Sequence, residues 1–181
     1  SVWNGLMFIN FDKRCNPLES IYEKLEKRIN KRNFSSYQFY KRDSYNISCN
    51  WKIYMDNYLE GLHIPIVHPE LNKTINYKSY KTEIHDQFSL QWCSIDQQLN
   101  PYKNDSSEDL IAYYVTIFPN VILNIAPGRL QTNIVEPIDE KNCSVHFDYY
   151  FEQVDEKQIQ KDLDFSDIIP VSYTHLRAHE T

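Results

Sequence analysis

From Ile111 to Phe151 the chain repeats one pattern, a short apolar run followed by a turn signal. The runs Ile111 to Phe118, Val121 to Ala126 and Arg129 to Glu136 are separated only by Pro119-Asn120 and Pro127-Gly128. Links that short join antiparallel strands, because parallel pairing needs a crossover of about a dozen residues. The segment Cys143 to Phe151 then alternates, with Val145, Phe147, Tyr149 and Phe151 on one side and Ser144, His146, Asp148 and Tyr150 on the other. An antiparallel meander is therefore the frame. Leu6 to Phe11 reads as an opening strand, Tyr37 to Cys49 as extended, and Glu83 to Ile95 as one long extended stretch; Asn100 to Asp109 is a polar loop.

Three helical patterns accompany this sheet. Leu18, Ile21, Tyr22, Leu25 and Ile29 recur at helical spacing between Pro17 and Arg32, with charged residues between them. A second helix is expected from Asn50 to about Leu62, ending near His63 because Pro65 biases Ile64 away from helical geometry. A third should start near Asp155 as N-cap, with Ile159, Leu163 and Ile169 toward the sheet. The fold class expected is α+β, a twisted antiparallel β-sheet with helices packed on one side.

Composition narrows the function. The 181 residues fit one domain, and 41% hydrophobic with 14% aromatic residues argue against disorder. A net charge of -6 offers no basic face for nucleic acid, and no apolar run is long enough for a membrane helix. The four cysteines, Cys15, Cys49, Cys93 and Cys143, form no C-x-x-C pair. A zinc knuckle or redox dithiol is thus disfavoured, and free thiols in a reducing cytoplasm are expected. The last residues, 171–181, read VSYTHLRAHET and resemble a translated sequencing adapter. We expect a non-native tail there, which gives His175 and His179 no functional weight. Residues 1–170 are then expected to be a partial domain, truncated at both ends.

The chemistry concentrates between Asn50 and Pro69. Glu60 is followed after two residues by His63, and after four more by His68. Positions five apart on an unbroken helix point about 140° apart and would not converge on one ion. A break at Pro65 would let His68 swing back toward His63. Two neutral imidazoles with one carboxylate form the facial triad typical of non-haem Fe(II) oxygenases. Spacing alone leaves other readings open. The pair can be two ordinary histidines at a helix end, on a metal-free ligand-binding module of the same shape. A zinc hydrolase would need a third ligand and a general base, which the segment lacks at the H-E-x-x-H position. His85 and His146 read as structural, as do Trp51, Tyr54, Asn57 and Tyr58.

The full strings are more specific. N-W-K, D-N-Y-L-E-G and H-I-P-I-V-H-P, running from Asn50 to Pro69, resemble the catalytic-domain signature of Rieske-type non-haem iron oxygenases, the ring-hydroxylating oxygenase α-subunit family. W-N-G-L-M-F-I-N-F-D near the start resembles the strand that follows the Rieske domain there. F-P-N-V-I-L-N, P-G-R-L-Q-T-N and F-D-Y-Y-F resemble the family's sheet.

The resemblance covers nearly all of residues 1–170 and implies a helix-grip, START-like catalytic domain. It implies that His63 and His68 are iron ligands. Glu60 would be the acidic link that carries electrons from a neighbouring subunit's Rieske cluster, with Asp56 one helical turn before it on the same side. The third ligand would lie beyond Ile169, leaving Asp164 and Asp167 as fallback candidates. The implied cofactors are mononuclear Fe(II), O2, a [2Fe–2S] Rieske cluster in an N-terminal domain absent from this chain, and NAD(P)H through a separate reductase. The implied partners are a small-molecule substrate, that reductase, and further copies in a homotrimer. Glu rather than Asp at position 60 resembles the monooxygenase subgroup that oxidises carnitine, choline or betaine; the alternative is an aromatic-ring dioxygenase. The chain alone is expected to bind iron poorly and to be inactive.

Overall fold

The structure is a computed structural model, and it describes residues 1–29, 32–68, 72–73, 75–95, 110–152, 155–157, 159–160 and 163. In chain order the elements are β1 (Val2–Trp3), β2 (Leu6–Met7), α1 (Leu18–Arg28), β3 (Gln38–Ile47), α2 (Trp51–Tyr58), α3 (Ile64–Val67), a 3-10 turn (Tyr77–Ser79), β4 (Lys81–Ile84), β5 (Phe88–Ser94), β6 (Ile111–Ile117), β7 (Val121–Ala126), β8 (Arg129–Pro137) and β9 (Cys143–Phe151). β1 and β2 form a hairpin, and the other strands form one sheet in the order β3-β9-β8-β7-β6-β5-β4. Every pairing in that sheet is antiparallel, as the short links require. At the β7–β8 link Pro127 sets an ordinary φ and Gly128 takes a left-handed one at 72°.

The expected strand Leu6 to Phe11 shortens to β2, which pairs with β1 across Asn4 and Gly5, both at positive φ of 49° and 85°. The stretch from Glu83 to Ile95 turns at Asp86-Gln87, where His85 N donates to Phe88 O at 2.9 Å. That turn is short enough to hide inside an apolar run. Helix α1 is shorter than its pattern, with Pro17 as N-cap rather than inside it. Asp155 caps as expected: its Oδ1 accepts from Lys157 N at 3.0 Å.

The sheet is covered on both faces. One face carries Leu90, Val115, Leu123, Ile125 and Leu130, packed with Trp3 of the hairpin and with Tyr22, Leu25 and Ile29 of the α1 segment. Trp3 Nε1 also donates to Glu26 Oε1 at 2.8 Å, which clips the hairpin to α1. The opposite face carries Val135, Val145, Phe147, Tyr149 and Phe151, covered by Tyr54 and Met55 of α2 and by Ile159 and Leu163. Beside it, Ile64 of α3 packs with Ile75, Cys93 and Ala112. The gripping helices thus share one side of the sheet, as expected, and α1 with the hairpin adds a layer on the other. Fully burying one Leu or Phe is worth about 1.5–3 kcal/mol, so these clusters hold the helices down.

A cross-sheet row runs under α2: Gln91 on β5 pairs with Tyr114 on β6, then Asn124 on β7, Gln131 on β8 and Tyr149 on β9. Gln91 is 0% exposed. A buried amide is costly unless hydrogen-bonded, so its partners locate the helix above it. Among the described residues no helix is long and apolar enough to cross a membrane.

Candidate metal centre

Helix α2 starts on Asn50, whose side chain accepts from Lys52 N at 3.0 Å and donates through Nδ2 to Glu140 O at 2.9 Å. It ends at Tyr58, earlier than expected. The Tyr58 hydroxyl donates to Asn124 Oδ1 at 2.5 Å, and Gln91 Nε2 donates to the Tyr58 carbonyl at 2.9 Å. Gln91 at one end of the polar row and Asn124 at its middle thereby pin the last turn of α2. The Tyr58 and Tyr114 rings meet edge to face, 6.5 Å between centroids.

The break falls at Glu60-Gly61, not at Pro65. Ile64 is helical, and Pro65 sits in the first turn of α3, where a missing N–H costs nothing. His63 is the N-cap of this short helix and His68 its C-cap. The expected reapproach of the two histidines is achieved across α3 itself, because His68 leaves helical geometry at φ -121° and ψ 64°. The two rings lie 5.1 Å apart between centroids, inclined by 69°.

Glu60 folds over its own turn. One carboxylate oxygen accepts from Leu62 N at 2.5 Å and His63 N at 3.2 Å, and the other contacts His63 Nδ1. A carboxylate can only accept, so in the neutral ring Nδ1 is the nitrogen that carries the proton and Nε2 keeps its lone pair. His68 is 9% exposed. Burial first, and then nearby His63, push its pKa below the ordinary value, which keeps it neutral and able to ligate.

The spacing of the two rings is one that a shared metal would give. Two imidazoles bonded at about 2.1 Å to one ion, with ring centres about 1.1 Å further out, stand roughly 4.5–5.2 Å apart for angles near tetrahedral or octahedral. The observed 5.1 Å lies in that range. Among the described residues no group of three or more His, Cys, Asp or Glu could hold a metal. Asp164 and Asp167, with residues 171–181, lie outside the described residues.

The other candidates separate from this pair. Asp56 is exposed on α2, and the helix ends between it and Glu60. His85 stacks on Phe88 at 4.3 Å, and His146 bridges Ser44 and Glu136 on the opposite side of the sheet from His63. Neither approaches the centre. Sequence reading missed Tyr80, Gln91, Tyr114 and Asn124. One signal was present: Gln91 and Asn124 are polar residues inside otherwise apolar strands. Nearby, burial pushes the Cys93 thiol up to about 12, so it is no nucleophile at neutral pH.

The family model for the ring hydroxylating alpha subunit (catalytic domain) matches residues 34–165. The chloroplastic choline monooxygenase of Arabidopsis thaliana is 34% identical over 132 residues, covering 70% of this chain and 31% of that protein. The carnitine monooxygenase oxygenase subunit of Acinetobacter pittii is 28% identical over 164 residues, covering 88% of this chain and 44% of that one. The chain therefore spans less than half the length of these relatives. Among solved structures, a quaternary ammonium Rieske monooxygenase, described for carnitine oxidation and inter-subunit electron transfer, superposes with a TM-score of 0.76. That match is at 18% identity and covers 95% of this chain and 48% of the other.

Proposed function

This chain belongs to the ring-hydroxylating oxygenase α-subunit family, matched over its catalytic domain, and on that footing we propose that His63 and His68 hold the mononuclear Fe(II) of a monooxygenase acting on a quaternary ammonium compound. The observation that carries the metal reading is the pair of rings 5.1 Å apart with Nδ1 of His63 held by Glu60. When bound, the iron supplies O2 activation. The residues of this chain do the rest. His68 stays neutral in its buried position, and Glu60 fixes the tautomer of His63. The Tyr58 and Tyr114 rings line the sheet side of the turn. Aromatic faces of this kind favour a cation that has lost its water.

Glu60 also serves as the polar link through which electrons from a [2Fe–2S] cluster on a second subunit reach His63. Its side chain is 42% exposed, so a partner's groups can reach it. Around it Leu62 is 78% exposed and Ile66 84% exposed, an apolar rim suited to a subunit contact. The relatives' names support the substrate class, and the carnitine and choline enzymes both act on trimethylammonium compounds in that reading. A reductase drawing on NAD(P)H would complete the chain of electrons.

The test is turnover by the complete oxygenase subunit with its reductase. Carnitine, choline and glycine betaine are offered beside naphthalene, and NAD(P)H consumption and hydroxylated or demethylated product are followed. Coupled consumption with a quaternary ammonium substrate is expected. Coupled turnover of the aromatic alone would overturn the substrate class while leaving the metal reading intact.

A further inference from the structure

The turn that carries Glu60 and His63 is held from the sheet side by a tyrosine well along the sequence. Tyr80 follows the 3-10 turn, and its ring stacks on Tyr77 at 5.8 Å and 26°. Its hydroxyl donates to Gln91 Oε1, and Gln91 Nε2 donates in turn to the Tyr58 carbonyl at 2.9 Å. That carbonyl is one of those a helix leaves open at its C-terminal end. The Tyr80 ring also lies against Gly61. A Cβ at position 61 would stand 2.5 and 2.6 Å from two ring carbons and 2.8 Å from the hydroxyl. Gly61 is absent from the glycines with positive φ, so glycine is needed here for room rather than for backbone freedom.

We propose that Tyr80 is a positioning residue for the metal centre: with Gln91 it clamps the turn from Tyr58 to His63 so that Glu60 meets His63 Nδ1, and its ring restricts position 61 to glycine. The proposal rests on the reading of His63 as a metal ligand. Its logic is the accounting of buried polar atoms. Gln91 is sealed from water, so without the tyrosine hydroxyl its carbonyl oxygen has no replacement partner. The amide then turns or shifts, and the Tyr58 carbonyl loses the bond that ends α2 at the right place. Burial, with Cys93 and then Glu60 adding to it, pushes the Tyr80 phenol well up, so it remains a donor across the neutral range. A tyrosine acting only as packing would tolerate loss of its oxygen without moving His63.

The experiment reads His63 directly. The complete oxygenase subunit, labelled with 15N in histidine, reports the ring tautomer by NMR at neutral pH, and cobalt(II) titration reports affinity. The wild type is expected to show one tautomer with the proton on Nδ1. Tyr80→Phe should mix the tautomers and weaken cobalt binding about tenfold, as for lost outer-shell partners. Gly61→Ala should do the same by pushing the Tyr80 ring away from Gln91, and Gly61→Ala combined with Tyr80→Phe should be no more disturbed than Tyr80→Phe alone. Gly61→Ala, which keeps the hydroxyl, decides the matter even if Tyr80→Phe fails to fold. A wild-type tautomer and affinity in folded Tyr80→Phe, or in Gly61→Ala alone, would overturn the clamp. Variant-dependent tautomers in a complete oxygenase subunit that binds no cobalt would support the clamp and remove the metal reading instead.

Discussion

A single carboxylate decides which nitrogen of His63 is available. Glu60 accepts from two backbone N–H groups and from the ring, and so orients the imidazole before any metal arrives. Glutamine in its place keeps an acceptor but loses the charge. Glu60→Gln is expected to lower turnover of the complete subunit roughly 10–100-fold while iron content stays near the wild-type level. Steady-state assays paired with iron analysis check this, and a loss of iron in step with activity would contradict the electron-link role. At this level the sequence was legible wherever the signal was local. Glu60, His63 and His68 stand within nine residues of one another and were readable together. Asp56 was read as lying one turn before Glu60 on a helix that in the structure ends at Tyr58. Tyr80 and Gln91 could not be read, since their roles arise only when β5 and the 3-10 turn are brought beneath α2.

Among elements, the helix pair α2–α3 matters most, and its cap is its most exposed weakness. Asn50 satisfies Lys52 N and ties the helix start to Glu140. Asn50→Ala should cost about 1 kcal/mol of stability, or somewhat more because the Glu140 contact is lost too. Denaturant unfolding measures it, and a change below a few tenths would contradict the cap. The sequence showed that the helix must break before His68 but put the break at the proline. A proline is equally content in a first turn, and the choice between ending one helix and starting another depends on Gly61 meeting Tyr80. The N-terminal hairpin was missed because the strand reading began at Leu6, after the turn signal Asn4-Gly5 and the short strand before it.

For the whole molecule, the meander from Ile111 to Phe151 was legible almost residue for residue, because short links and strict alternation leave few alternatives. The double covering of the sheet was not, since nothing local tells α1 which face it will meet. The buried thiols give the folded state an alkaline limit. Burial pushes Cys93 and Cys143 up to about 12 from 9.0. The unfolded chain therefore loses these protons first, so their contribution is complete below about pH 9 and is lost as pH rises toward 12. The loss is about 1.4 kcal/mol per pH unit for each thiol. Urea unfolding at pH 9, 10 and 11 should show this slope, and Cys93→Ala or Cys143→Ala should flatten it; a slope unchanged from the wild type in both variants would contradict it. What these layers converge on is a pair of imidazole rings 5.1 Å apart, proposed above to share one ion. Cobalt K-edge absorption on the complete subunit, with cobalt(II) at the mononuclear site, counts those ligands apart from the cluster irons. Two imidazoles are predicted at that site, with one lost in each of His63→Ala and His68→Ala and the cobalt content reduced. An unchanged cobalt content and coordination shell in both variants would contradict the assignment.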